Sequence, residues 1–126
     1  MEINTVSPRD FQVIQGYDAG GFRISGRRHE GAVLVFPRRT LAWPVDNPDV
    51  VTVDSLQALV GEEPRVEILL LGTGRRMFGV AHGLHRALRG AYGVVLDVMD
   101  TGAACRTFNV LVAEGRPVVA ALLVGG

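Results

Sequence analysis

Val66-Glu67-Ile68-Leu69-Leu70-Leu71-Gly72-Thr73-Gly74 is the stretch that decides the fold. A nearly unbroken apolar run ending in a glycine-flanked turn is the pattern of a strand covered on both faces. Val94-Val95-Leu96-Asp97-Val98-Met99 repeats it and ends in a second turn, Asp100-Thr101-Gly102. Between the two, Val80, Leu84, Ala87 and Leu88 recur at i, i+4, i+7 and i+8, which predicts one apolar helix face. Asp100 is placed to cap a second helix. Its stripe is Ala104, Phe108 and Leu111, flanked by Cys105 and Val112, and Gly115 closes it. Val118 to Val124 is a third apolar run and the predicted last strand. Strands alternating with helices imply crossover connections, hence an α/β fold with a mixed, largely parallel central sheet.

Upstream, the pattern shortens. Phe11 to Tyr17 is strand-like, Asp18-Ala19-Gly20-Gly21 reads as a turn, and Phe22-Arg23-Ile24-Ser25 alternates as a half-buried strand does. Gly26 breaks that strand, Gly31 to Phe36 forms a stronger one, and Thr40 to Pro44 adds a short edge. These stretches predict a small antiparallel β meander in the N-terminal third. Thr52 or Asp54 caps a short helix through Val60, ended by Gly61. Residues 11–124 are expected to form one domain, with residues 1–10 a flexible N-terminus.

Composition narrows the function classes. The chain has 126 residues, enough for one core, and is 48% apolar and 21% charged, which is globular rather than disordered. Its net charge is zero, so nothing steers it as a whole toward nucleic acid. All 13 basic residues are arginine, an anion-binding side chain, although a GC-rich genome produces the same bias. One cysteine permits no internal disulfide and no cysteine-based zinc site. Met1 to Thr5 lacks the basic and apolar parts of a signal peptide. The longest apolar run, Val118 to Val124, falls far short of the roughly 20 residues that span a bilayer. A cytoplasmic protein is the expectation.

The chemistry-bearing residues are sparse. The sequence holds no nucleophile elbow, no His-Glu-x-x-His and no Walker lysine, and Met77 stands where a dinucleotide fingerprint needs its third glycine. Ligands of open α/β sheets bind beyond the carboxyl ends of the strands. The two glycine turns are therefore expected side by side, forming a crevice for a partner, a small molecule or an anion. Its candidate residues are Gly72, Thr73, Gly74, Asp100, Thr101, Gly102, Cys105, Arg106 and Asn109. Cys105 shares a helical face with Phe108 and Val112, which predicts a buried, unreactive thiol. His82 and His85 share a predicted helix without a third ligand, so no metal is expected, and no cofactor. Arg23, Arg27, Arg28, Arg38 and Arg39 form a basic stretch offset only by Glu30, read as a solvated strand face, or else as a patch for an acidic partner or an anionic membrane surface.

Certain strings carry more. Gly20-Gly21-Phe22-Arg23-Ile24, Gly31-Ala32-Val33-Leu34-Val35, Trp43-Pro44, Leu70-Leu71-Gly72-Thr73-Gly74 and above all Met99-Asp100-Thr101-Gly102-Ala103-Ala104-Cys105-Arg106-Thr107-Phe108-Asn109 resemble a family of small domains long catalogued as of unknown function. That family includes the mitochondrial factor numbered three in respiratory complex I assembly and a human protein associated with adipogenesis. The resemblance covers about residues 11 to 124. It implies a mixed sheet with helices and a small antiparallel layer beside it, and no established enzymatic activity. It also implies a protein partner with peripheral membrane association. The expectation is an interaction protein that acts as an assembly factor, with no nucleic-acid role. The alternative is a small-molecule or anion-binding domain, or an enzyme, using the crevice. Oligomeric state is left open.

Overall fold

In this computed structural model the described residues are 11–125; the expectation for residues 1–10 lies outside them. The order is β1 (Ile14–Tyr17), β2 (Gly21–Ile24), β3 (Arg27–Glu30), β4 (Val33–Val35), β5 (Thr40–Ala42), two short 3-10 helices (Pro48–Val50 and Asp54–Leu59), β6 (Ile68–Gly72), α1 (Leu84–Tyr92), β7 (Val95–Met99), α2 (Thr101–Ala113) and β8 (Val118–Leu122). β6, β7 and β8 come from the three apolar runs. They lie in a mixed five-stranded sheet of order β5-β4-β8-β6-β7, and β1-β2-β3 form a separate three-stranded sheet. β6 pairs in parallel with β7 and β8, and β4 pairs antiparallel with β5 and β8.

Alternation along β6 builds two cores. Leu69 and Leu71 face one, with Leu34, Val119, Ala121, Trp43, Leu56, Leu84 and Leu88. Leu70 faces the other, with Val33, Val35, Ala120, Leu122, Phe108, Cys105, Phe22 and Ile24. α1 and the segment around Trp43 thus cover one face of the sheet, while α2 and the small hairpin sheet cover the other. That double cover is why successive residues of β6 and β8 are apolar.

Four local expectations need correction. The N-terminal meander divides. β1 to β3 form the small layer, whereas Val33-Leu34-Val35 is buried on both faces and joins β8 in the main sheet. Gly26 does break β2, but Arg27-Arg28-His29-Glu30, where no strand is expected, is a strand of its own. Ser25 (φ 49°) and Gly26 (φ 81°) form a tight hairpin turn in the left-handed region, and the polar strand they launch is an exposed edge that needs no apolar signature. α1 begins at Leu84 behind a left-handed Gly83, so Val80 and His82 precede the helix. The segment after Thr52 is a 3-10 helix, and Thr52 Oγ1 accepts a bond from the Ser55 amide (3.1 Å).

Candidate functional site

The carboxyl ends of β6, β7 and β8 meet where the two glycine turns were expected to meet. Parallel pairing sets Gly72 opposite both Met99 and Leu122. Gly72 leaves no room for a side chain: a Cβ there would lie 2.9 Å from Thr101 Cα and Oγ1. Two buried hydroxyls tie the junction. Thr101 Oγ1 accepts the Gly74 amide and donates to the Leu123 carbonyl, both at 2.8 Å. Thr73 Oγ1 donates to the Arg76 carbonyl (2.6 Å) and accepts the Phe78 amide (3.0 Å). The Thr73 amide donates to the Met99 carbonyl, and the Thr101 amide to the Gly74 carbonyl. Thr73 and Thr101 are 4% and 2% exposed, so these groups hold the turns and point away from solvent.

A cavity lies on each side of Gly74 and Arg75. One, of about 330 Å³, runs between Tyr17-Asp18-Ala19 of the hairpin sheet and Gly74, Arg75, Thr101 and Gly125. The other, of about 690 Å³, is lined by Thr73, Gly74, Arg75, Arg76, Phe78, Val124 and Gly125. In the hairpin wall an ion pair links the turn after β1 to β3. Asp18 accepts a bidentate pair from Arg28, which also bonds Glu30. The Arg28 guanidinium, together with the Gly20 and Gly21 amides, holds the Asp18 carboxyl well below the usual carboxylate range.

The candidate residues separate. Gly72, Thr73, Gly74 and Thr101 converge at the junction, and Gly74 and Thr101 line a cavity. Asp100 is the N-cap of α2, its Oδ1 accepting the Ala103 amide at 2.8 Å. Gly102 lies against the Tyr17 hydroxyl, which occupies the space a Cβ would need. Cys105 is buried among Phe108 and Val112 in the second core, and burial pushes its thiol pKa up to about 12. Arg106 is exposed. Asn109 Oδ1 accepts the Ile14 amide and its Nδ2 donates to the Ile14 carbonyl, both at 2.9 Å. Asp100, Gly102, Cys105, Arg106 and Asn109 line neither cavity.

Sequence reasoning missed Tyr17, Asp18, Arg75, Arg76, Phe78 and Gly125. A signal for three of them was present: Arg75-Arg76-Met77-Phe78 directly follows a strand-ending glycine turn. Of the five arginines in the basic stretch from Arg23 to Arg39, two form ion pairs among the described residues. Arg28 pairs with Asp18 and Glu30, and Arg39 with Glu62. Arg38 lies 5.3 Å over the Phe11 ring. His82 and His85 are both exposed. Among the described residues no group of three or more His, Cys, Asp or Glu is placed to hold a metal ion, and no helix is long and apolar enough to cross a membrane.

Comparison with known proteins gives a consistent picture. Residues 14–123 match a family described as "Protein of unknown function (DUF498/DUF598)". The chain is 37% identical over 114 residues to the Xenopus tropicalis protein named NADH dehydrogenase (ubiquinone) 1 alpha subcomplex assembly factor 3, covering 90% of this chain and 62% of that one. The Homo sapiens protein of the same name is 37% identical over 110 residues, covering 87% and 59%. The chain therefore spans about three-fifths of the length of these curated relatives. A crystal structure of a Bordetella parapertussis protein superposes with a TM-score of 0.79 at 38% identity, covering 90% of this chain and 96% of that one.

Proposed function

The chain belongs to the DUF498/DUF598 family, and on that premise we propose that it is a non-enzymatic interaction protein that helps assemble a membrane or respiratory complex. The observation that carries the reading is the 37% identity, across 90% of the chain, to a protein named as a complex I assembly factor. The site chemistry agrees in kind. The crevice hydroxyls and turn amides are engaged in holding the turns, while Arg75, Arg76, Met77 and Phe78 stand exposed around them. On this reading the protein works in the cytoplasm and reaches the membrane through its client. Two experiments test it together: deletion of the gene with native-gel analysis of the respiratory complexes, and affinity capture of the tagged protein in mild detergent. The expected result is a loss of assembled NADH dehydrogenase, with its subunits enriched in the capture. A normal complex in the deletion strain, with no subunit captured, overturns the reading.

A second reading takes the crevice as a small-molecule or anion pocket. The two cavities that share Arg75 favour it. A rise in melting temperature with inorganic phosphate or a nucleotide, abolished by Arg75→Ala, is its test.

A further inference from the structure

The charge of this neutral chain is distributed unevenly. From Ile68 to Leu96 the sequence carries Arg75, Arg76, Arg86 and Arg89 and no carboxylate at all. None of these four forms a salt bridge among the described residues, in contrast to Arg28 and Arg39. All four are exposed, and so are His82 and His85. In α1, Arg86 and Arg89 lie on the side away from the buried Leu84 and Leu88. The loop that precedes α1 adds Met77 (61% exposed) and Phe78 (51% exposed), two large apolar side chains next to two cations. The loop backbone is held from beneath, because the buried Thr73 hydroxyl bonds both the Arg76 carbonyl and the Phe78 amide. The four loop side chains are thus presented from a pinned backbone, which lowers the backbone share of the ordering cost of any contact they make.

We infer that this ledge, from Arg75 to Phe78 and along the exposed side of α1, docks an acidic protein segment that carries an apolar anchor. The inference rests on the interaction reading above and names the chemistry of its partner. Guanidinium groups match carboxylates in bidentate geometry, and a Met-Phe pair supplies the desolvated anchor that carries most of the energy of such contacts. An anionic bilayer fits less well. The chain has no net charge to draw it to an extended surface, and only charges within about 10 Å of one another act together at physiological salt. A local basic ledge suits a local acidic segment.

Fluorescence anisotropy tests the inference. The probes are a labelled helical peptide with glutamates flanking a Leu-Phe pair, the same peptide with glutamines, and vesicles of phosphatidylcholine with phosphatidylglycerol. The acidic peptide binds, and its affinity falls with salt. The double variant Arg75→Glu/Arg76→Glu and the single variant Phe78→Ser each weaken it by about tenfold or more. Arg75→Ala weakens it less, and Arg27→Glu on the hairpin leaves it unchanged. Melting curves confirm that the variants are folded. Equal binding of the glutamine peptide, no effect of the ledge variants, or ledge-dependent binding to the vesicles in place of the peptide overturns the inference. Affinity capture with the double variant separates it from the assembly reading. If the variant retains the complex I subunits that the parent captures, the ledge is wrong and the assembly role stands. If the parent captures none, the assembly role falls and the peptide titration still decides the ledge.

Discussion

Asp100 caps α2 and Cys105 lies in its second turn, and the two show how burial divides roles between near neighbours. Asp100 is half-buried at the positive end of the helix, and its carboxylate satisfies an amide that the helix leaves orphaned. Asp100→Ala is expected to cost about 0.5–2 kcal/mol in chemical unfolding, and Asp100→Asn to restore most of it, because the amide oxygen still accepts. An Asp100→Ala protein as stable as the parent would remove the capping account. Cys105 is held neutral by burial, against the opposing pull of Arg106, with its pKa pushed up to about 12. In the unfolded chain the thiol deprotonates near pH ~8.5. Between these values the folded state binds more protons than the unfolded state. The thiol's contribution to stability is therefore fully present below about pH 8.5 and declines as pH rises through that window. Melting temperatures taken from pH 8 upward should fall less steeply in Cys105→Ala than in the parent, and parallel curves would count against the buried neutral thiol.

At the scale of elements, the small hairpin sheet is the piece whose position has to be explained. It brings Tyr17 and Asp18 to the crevice, yet it shares no strand pairing with the main sheet. Apolar packing of Ile14, Phe22 and Ile24 supplies part of the attachment. Asn109 supplies the direction, because its amide group bonds the amide and the carbonyl of Ile14 simultaneously. Asn109→Ala takes the side-chain partner from both backbone groups of the buried Ile14, and the expected loss is about 1–3 kcal/mol. Hydrogen exchange at the Ile14 amide should accelerate in that variant while the β6 and β8 amides stay protected. Unchanged exchange at Ile14 would mean that packing alone sets the hairpin.

For the whole molecule, the two cores share one sheet and should fail together. Leu70 and Leu71 are adjacent and equally buried, and they belong to different cores. Each truncation to alanine is expected to cost about 2–5 kcal/mol. Trp43, the single tryptophan, lies in the core of Leu71. In Leu70→Ala its fluorescence should nevertheless shift to a lower denaturant midpoint, coincident with far-UV circular dichroism. A Trp43 transition left at the parental midpoint would show that the layers unfold separately and that the crevice between hairpin and sheet opens by itself. A single coincident transition instead ties the crevice wall to the global stability of the fold.

Much of this protein was legible in its residues before any fold was known. The apolar runs ending at Leu71 and Val124 specify strands covered on two faces; the run ending at Met99 is a strand too, but at the sheet edge, where Val95 and Asp97 stay exposed. The glycine turns after β6 and β7 meet because parallel neighbours end at the same side of a sheet. Asp100 announces its cap, and Cys105 its burial, through helical spacing alone. These are local facts, set by periodicity and by the backbone groups a helix leaves unpaired. What the tertiary structure decided are the matters of partnership. Arg27-Arg28-His29-Glu30 is a strand only because β2 offers it an edge. Val33-Leu34-Val35 leaves the N-terminal layer because β8 covers it better than a hairpin can. Arg28 and Arg39 lose their reach to Asp18 and Glu62, residues distant in the chain, whereas Arg75 and Arg76 keep theirs. Thr73 and Thr101 turn inward because three strand ends need their hydroxyls. Hydrophobic spacing encodes whether a side chain is buried, but which neighbour buries or neutralises it depends on contacts across the fold that no local pattern records.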